Sequence, residues 1–206
     1  DAFDAFGWVR AERDVDATEA GGARSLARRY GLTVAGATDS WSSHLRNLAE
    51  MHLRHHPHTR FGDRTPEVRA AIDERIDRLP DDARPVVGRV DHAFENTLVD
   101  ADGEVTGLLD WGMLRTVAPA YDLACAELSF AGTAGISAER RERVRAALRD
   151  GYETHASVEE VGSRRRLYLL VNLVARQNWV SAWIPEVGAD EIERDHRALL
   201  DELLAA

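Results

Sequence analysis

The stretch spanning residues 85–111, PVVGRVDHAFENTLVDADGEVTGLLDW, constrains this chain more than any other. It reads as a strand, a tight polar loop, and a hairpin that ends on a carboxylate. Val86 and Val87 are β-branched and follow a proline, so they suit an extended segment. Residues 97–99 make a short strand, residues 101–104 supply a turn, and residues 105–109 return. Asp91 and Asn96 bracket the loop, and Asp110 stands at the end of the returning strand. Two carboxylates and an amide are thereby set at neighbouring strand ends, where they can converge.

Such a convergence is what phosphoryl transfer to a hydroxyl requires. One carboxylate, Asp91, accepts or orients the hydroxyl proton. An amide and a second carboxylate, Asn96 and Asp110, hold magnesium, a hard cation that prefers oxygen ligands. Asp91, four intervening residues, Asn96 and then Asp110 after a hairpin resemble the protein-kinase order H-R-D-x-x-x-x-N and D-F-G. Each residue also has a plainer reading. Asp and Asn favour turns, and Asp110 alone could merely cap a strand end.

A further run favours the functional reading. Residues 119–124, PAYDLA, follow the triplet Asp110-Trp111-Gly112 by a few positions. The pattern D-x-x-x-x-N-x-L-V-D…G…L-D-W…P-A-Y-D-L-A resembles the aminoglycoside phosphotransferase family, protein-kinase-like small-molecule kinases that also resemble choline and homoserine kinases. The dense match covers about residues 85–128. Two positions depart from the family pattern. Arg89-Val90-Asp91 stands where His-Gly-Asp is usual, and Val117-Ala118 stands where Gly-Asp often precedes the proline. The resemblance implies a mainly α fold with a small β-hairpin, the C-terminal lobe of a kinase-like protein without the N-lobe β-sheet. It implies ATP or another nucleoside triphosphate and Mg2+ as cofactors. Asp91 is then catalytic, Asn96 and Asp110 bind nucleotide and metal, and Arg89 and Asp122 support them from behind. Asp122 lies in an otherwise apolar helical run, where a carboxylate needs partners; backbone N–H groups of the catalytic loop are the expected ones.

Composition narrows the alternatives. At 44% hydrophobic and 30% charged residues, the 206-residue chain suits a soluble globular protein of one or two domains. No apolar run reaches membrane-spanning length and no signal peptide is visible. The single cysteine, Cys125, reads as a buried thiol compatible with a reducing cytoplasm. A net charge of −10 argues against nucleic acid or an anionic membrane as partner. All 26 basic residues are arginine. The lysine that clamps nucleotide phosphates in the N-lobe of kinase-like proteins is therefore outside this chain. The expectation is an N-lobe missing from upstream of Asp1, either cut away or absent from the natural protein.

Along the chain, residues 1–16 hold an apolar cluster of Phe3, Phe6, Trp8 and Val9, where the resemblance puts the inter-lobe hinge; a strand or helix packed on the core is the alternative. Residues 17–206 read as the helical lobe. A helix is expected over residues 18–30, a connector over 32–38, and a helix from Asp39 or Ser40 with Trp41, Leu45, Leu48 and His52 on one face. Thr65 and Pro66 read as N-cap and N1 of a third helix that buries Val68, Ile72, Ile76 and Leu79. Residues 113–119 read as a loop and 120–130 as a central helix. Three helices close the chain, over 137–150 with Val144, Ala147 and Leu148 inward, 163–183, and 190–204 opened by an Asp190–Glu193 capping box. His52, His55, His56 and His58 cluster, but Pro57 interrupts them, which favours a structural set over a zinc site. Trp179, Trp183 and Asn178 could line an acceptor pocket, with core packing the default for the tryptophans.

Two function classes follow. The first is a small-molecule kinase, or its acceptor-binding lobe. The second is a degenerate kinase-like module that binds without transferring; metal-dependent hydrolysis by the histidines stands behind both. The resemblance implies a hydroxylated acceptor and favours a cationic one. Carboxylates such as Glu127, Glu153, Glu159, Glu160, Glu186, Asp190 and Glu191 could edge its site, or could belong to a generally acidic, salt-adapted surface.

Overall fold

A computed structural model of the chain describes residues 4–11, 32–132, 135–155, 161–180 and 188–205. The elements are β1 (Phe6–Ala11), β2 (Leu32–Thr38), α1 (Trp41–Leu53), α2 (Thr65–Asp77), β3 (Val86–Gly88), β4 (Thr97–Val99), β5 (Val105–Leu108), β6 (Arg115–Val117), α3 (Pro119–Ala131), α4 (Ala138–Glu153), α5 (Val161–Gln177) and α6 (Ala189–Leu204). The fold is helix-rich, with two small antiparallel sheets.

The helices follow from apolar periodicity. Ser40 caps α1, its side chain accepting from the Ser43 amide, and Trp41, Leu45 and Leu48 face inward. Val68, Ile72 and Ile76 form the buried stripe of α2. Helix α5 lies at the centre, with every residue from Leu167 to Val171 buried, together with Leu173 and Val174. Trp41, Tyr121 and Tyr168 form the aromatic heart where α1, α3 and α5 meet. Their ring centroids lie 5.2–6.0 Å apart in edge-on arrangements, and Trp41 Nε1 donates to Tyr168 Oη at 2.9 Å. Large rings supply much of the buried apolar area, and the one indole N–H is satisfied internally. Cys125 is buried, as expected. No helix among the described residues is long and apolar enough to cross a membrane.

The sheets depart from the single hairpin expected. The hairpin itself is present as β4–β5, with Thr97 opposite Leu108. A second sheet has the order β2-β1-β6-β3. Residues 32–38 are thus strand β2, not a connector, and Arg115–Val117 is strand β6 rather than part of a loop. Both are held by long-range pairing that local pattern does not reveal: β1 pairs with β2 on one side and β6 on the other. Gly7 makes this possible, since a Cβ there would stand 2.6 Å from the Ala35 carbonyl oxygen. Its amide donates to Thr116 Oγ1 at 2.8 Å. Strand β6 then hydrogen-bonds to β3, the strand leading into the Asp91 loop.

Smaller corrections have local causes. Thr65 is not the cap of α2, because its hydroxyl pairs with His56 Nδ1 at 2.8 Å; Arg64 takes the N-cap position instead. The proposed capping box does not form, since Gly188 caps α6 and Glu193 pairs with Arg60 and Arg197. Helix α4 buries no residue; Val144 and Leu148 are half-buried and Ala147 is exposed. Trp179 is exposed rather than in the core. The helix expected over 18–30, Trp183 and the outer parts of segment 1–16 lie outside the described residues.

Candidate active site

Strand β3 ends on Gly88 and delivers Arg89, Val90 and Asp91. Gly88 is required by proximity: a Cβ there would meet Val117 Cγ2 at 2.4 Å and Asp122 Oδ1 at 3.0 Å. The chain then turns sharply. Val90 has φ of 66°, and the Asp91 amide donates back to the Arg89 carbonyl at 2.8 Å. A β-branched residue in the left-handed region is strained, and such strain persists only where the surroundings enforce it. Asp122 of α3 does so. Its Oδ1 accepts the Val90 amide at 2.8 Å and His92 Nε2 at 3.0 Å. The expected brace between Asp122 and the loop backbone is present, with the carboxylate half-buried rather than fully enclosed.

Arg89 is buried and ties the loop to the hairpin. Its Nη2 donates to the carbonyls of Asn96, at 3.2 Å, and Leu109, at 2.5 Å, and its guanidinium lies 5.7 Å from the Trp111 ring centroid. The Leu109 amide donates to the Asn96 carbonyl at 2.8 Å. Asn96 therefore sits across the ladder from Leu109, one residue before Asp110. Asp110 adopts φ of 54°, a conformation that Asp tolerates better than most residues, and its Oδ1 accepts the Gly112 amide at 3.2 Å. The Asp110 carboxylate is exposed, and the Asn96 side-chain amide makes no hydrogen bond among the described residues. Asp91 is half-buried, with Oδ1 accepting the Ala93 amide at 3.3 Å.

Two residues at this site carry no signal in the spacing of the motif. His92 directly follows Asp91 and packs beside Phe130, which Phe94 meets edge-on at 4.7 Å. Burial lowers the pKa of Arg176, near the end of α5, with Asp91 and Glu95 opposing; its Nη1 donates to the Leu128 carbonyl at 2.6 Å. The hint of Arg176 in the sequence is a cation that directly follows the mostly apolar run 167–175 of α5.

Within the histidine cluster, one ring is committed to the fold. His56 is buried, with Nδ1 and Nε2 each 2.8 Å from a partner, Thr65 Oγ1 and Gln177 Oε1. Among the described residues no group of three or more His, Cys, Asp or Glu is placed to hold a metal. Asn178 donates to the His52 carbonyl at 3.0 Å, and Glu127 is committed to Arg145 and Arg165.

The loop is strained, braced by a helical carboxylate and tied by Arg89 to the backbone beside Asp110, an arrangement the phosphotransferase resemblance implies. The phosphotransferase enzyme family model matches residues 15–168, and the chain belongs to that family. No curated protein and no solved structure matches it.

Proposed function

We propose that the protein transfers the terminal phosphoryl group of a nucleoside triphosphate, ATP by preference, to a hydroxyl of a small molecule. The observation that carries this reading is the Arg89 bridge, which joins the Asp91 loop to the backbone beside Asp110. Asp91 orients the acceptor hydroxyl and accepts its proton, and Asp122 and His92 hold that loop in its strained form. Asn96 and Asp110 fit Mg2+, because both present oxygen. Two protein ligands suffice for an ion that keeps waters and takes phosphate oxygens. When bound, the ion neutralises charge on the phosphates.

A phosphate-clamping cation is also needed, and the chain contains no lysine. We place that cation in a nucleotide-binding lobe preceding residue 1, with segment 1–16 as the hinge and residues 17–206 as the acceptor-binding lobe. An exposed apolar strip supports the placement: Val87, Leu98, Leu108, Leu109 and Trp111 all lie exposed around the loop and hairpin. A lobe packed there would cover apolar surface that a monomer rarely leaves open. The acceptor is a free hydroxylated compound, cationic ones being favoured by the acidic surface, and the single buried thiol suits a reducing cytoplasm. The missing lysine favours a second reading, a module that binds without transfer. The test is to extend the chain upstream and measure Mg2+-dependent nucleotide turnover with hydroxylated amines and neutral alcohols. Acceptor-stimulated turnover supports the kinase. Acceptor binding without turnover in the extended protein supports the binding module.

A further inference from the structure

The charges on α4 run against those of the molecule. The chain has a net charge of −10, yet Arg141, Arg145 and Arg149 recur every fourth residue along α4, a spacing that places them on one face. Arg165 of α5 contributes to the same region. A cavity of about 370 Å3 is lined there by Glu142, Arg145, Ala146, Arg149 and Arg165. Glu127 of α3, itself buried, orders the wall. Arg165 Nε donates to Glu127 Oε2 at 2.8 Å and its Nη2 pairs with Oε1, while Arg145 Nε lies 2.8 Å from Oε1. One carboxylate thus hydrogen-bonds Arg165, pairs electrostatically with Arg145 and neutralises one of their two charges. Arg145 Nη1 also meets Glu142 at 2.5 Å, but that side chain is 69% exposed and well screened by solvent. Arg149 makes no hydrogen bond or ion pair among the described residues. Arg165 Nη1, Arg145 Nη2 and the whole Arg149 guanidinium therefore remain as donors. Two of the three groups are already ordered, which lowers the entropic cost of binding.

We propose that this α4–α5 groove binds a phosphate-bearing anionic small molecule, at a site separate from the Asp91 loop. Guanidinium forks match phosphate oxygens in pairs, and three of them suit a group with three or more acceptor oxygens. The volume exceeds that of phosphate alone and sits at the low end for small-ligand pockets, about 300–1,000 Å3.

Calorimetric titration of the full chain with inorganic phosphate and with glycerol phosphate tests the site, without Mg2+ and at ionic strength matched with chloride. Saturable binding is expected. Whichever ligand binds tighter, the site is supported, and the order tells free phosphate from a phosphomonoester. Arg149→Ala should weaken binding at least about tenfold, the scale of one lost charge-assisted contact. Arg149→Lys should recover part of the loss through charge alone. Arg149 is exposed and has no partner among the described residues, so both variants should melt with the wild type. Asp110→Ala should leave phosphate affinity unchanged. Binding no stronger than chloride accounts for, equal affinity in Arg149→Ala, or tighter binding in Asp110→Ala would each overturn the proposal, the last by placing the anion at the catalytic loop.

Discussion

At the scale of single residues, the site depends on Val90 being held where a valine does not belong. The left-handed backbone costs on the order of 1–3 kcal/mol, and the Val90 amide bonded to Asp122 counters it. Asp122→Ala removes that acceptor and strands a partly buried donor, so a loss of about 1–3 kcal/mol is expected in urea unfolding. An unchanged midpoint would show that the loop holds itself. The roles proposed for Asp91 and Asp110 separate in their effects. In a chain extended upstream to carry the proposed nucleotide-binding lobe, Asp91→Asn should slow transfer by about 10²–10⁴-fold with nucleotide affinity retained. Asp110→Ala should abolish Mg2+-dependent nucleotide binding; equal loss of affinity in both variants contradicts the assignment. These residues were legible because their spacing along one loop and hairpin is local information. His92 and Arg176 were not. Their roles come from α3 and α5 folding back onto the loop, contacts formed across 30 residues for His92 and Asp122.

At the scale of elements, periodicity sufficed for the described helices and turn signals for the β4–β5 hairpin, but the four-stranded sheet was not legible. A helix declares itself over a dozen residues through its buried face. Strand β6 has only three residues, too few for alternation to register, and is buried at every position. What makes it a strand is pairing with β1 and β3, and that is tertiary information. Strand β2 was obscured by its own composition, since Ala35, Gly36 and Ala37 read as a connector; Gly36 has φ of 63°. The sheet matters to the site because β6 carries β3 against α3. Gly88→Ala tests this. The added methyl would sit 2.4 Å from Val117 Cγ2 and 3.0 Å from Asp122 Oδ1, so β3 or α3 must shift. The expected outcome is a destabilisation of about 1–3 kcal/mol, with turnover reduced beyond what the lost stability explains, because Asp122 moves with the clash. Full activity in a correctly folded Gly88→Ala protein would show that the β3–α3 approach does not position the loop.

At the scale of the whole molecule, the fold encloses histidines that it keeps uncharged. Burial first, and then the nearby Arg115, lowers the pKa of His44 and His52 to about 4. Burial and then Arg176 lower that of His196 to about 4, with Asp195 opposing. Burial likewise lowers His56. In the unfolded chain these groups titrate near 6.5, so on acidification the unfolded state takes up protons that the folded state refuses. Their contribution to stability is complete above about pH 6.5 and is lost as pH falls toward 4. Each strongly shifted histidine costs the folded state about 2 kcal/mol at pH 5. Three together rival the usual net stability of a domain, about 5–15 kcal/mol. Lowering the pH from 7 to 5 at constant salt should therefore depress the unfolding midpoint steeply, before ordinary carboxylates titrate. His196→Phe keeps a ring beside Phe61, whose centroid lies 5.6 Å from that of His196, and removes one titrating group. Its midpoint should fall less over the same interval. If wild type and variant lose stability in parallel between pH 7 and 5, the acid sensitivity lies elsewhere than in this buried histidine.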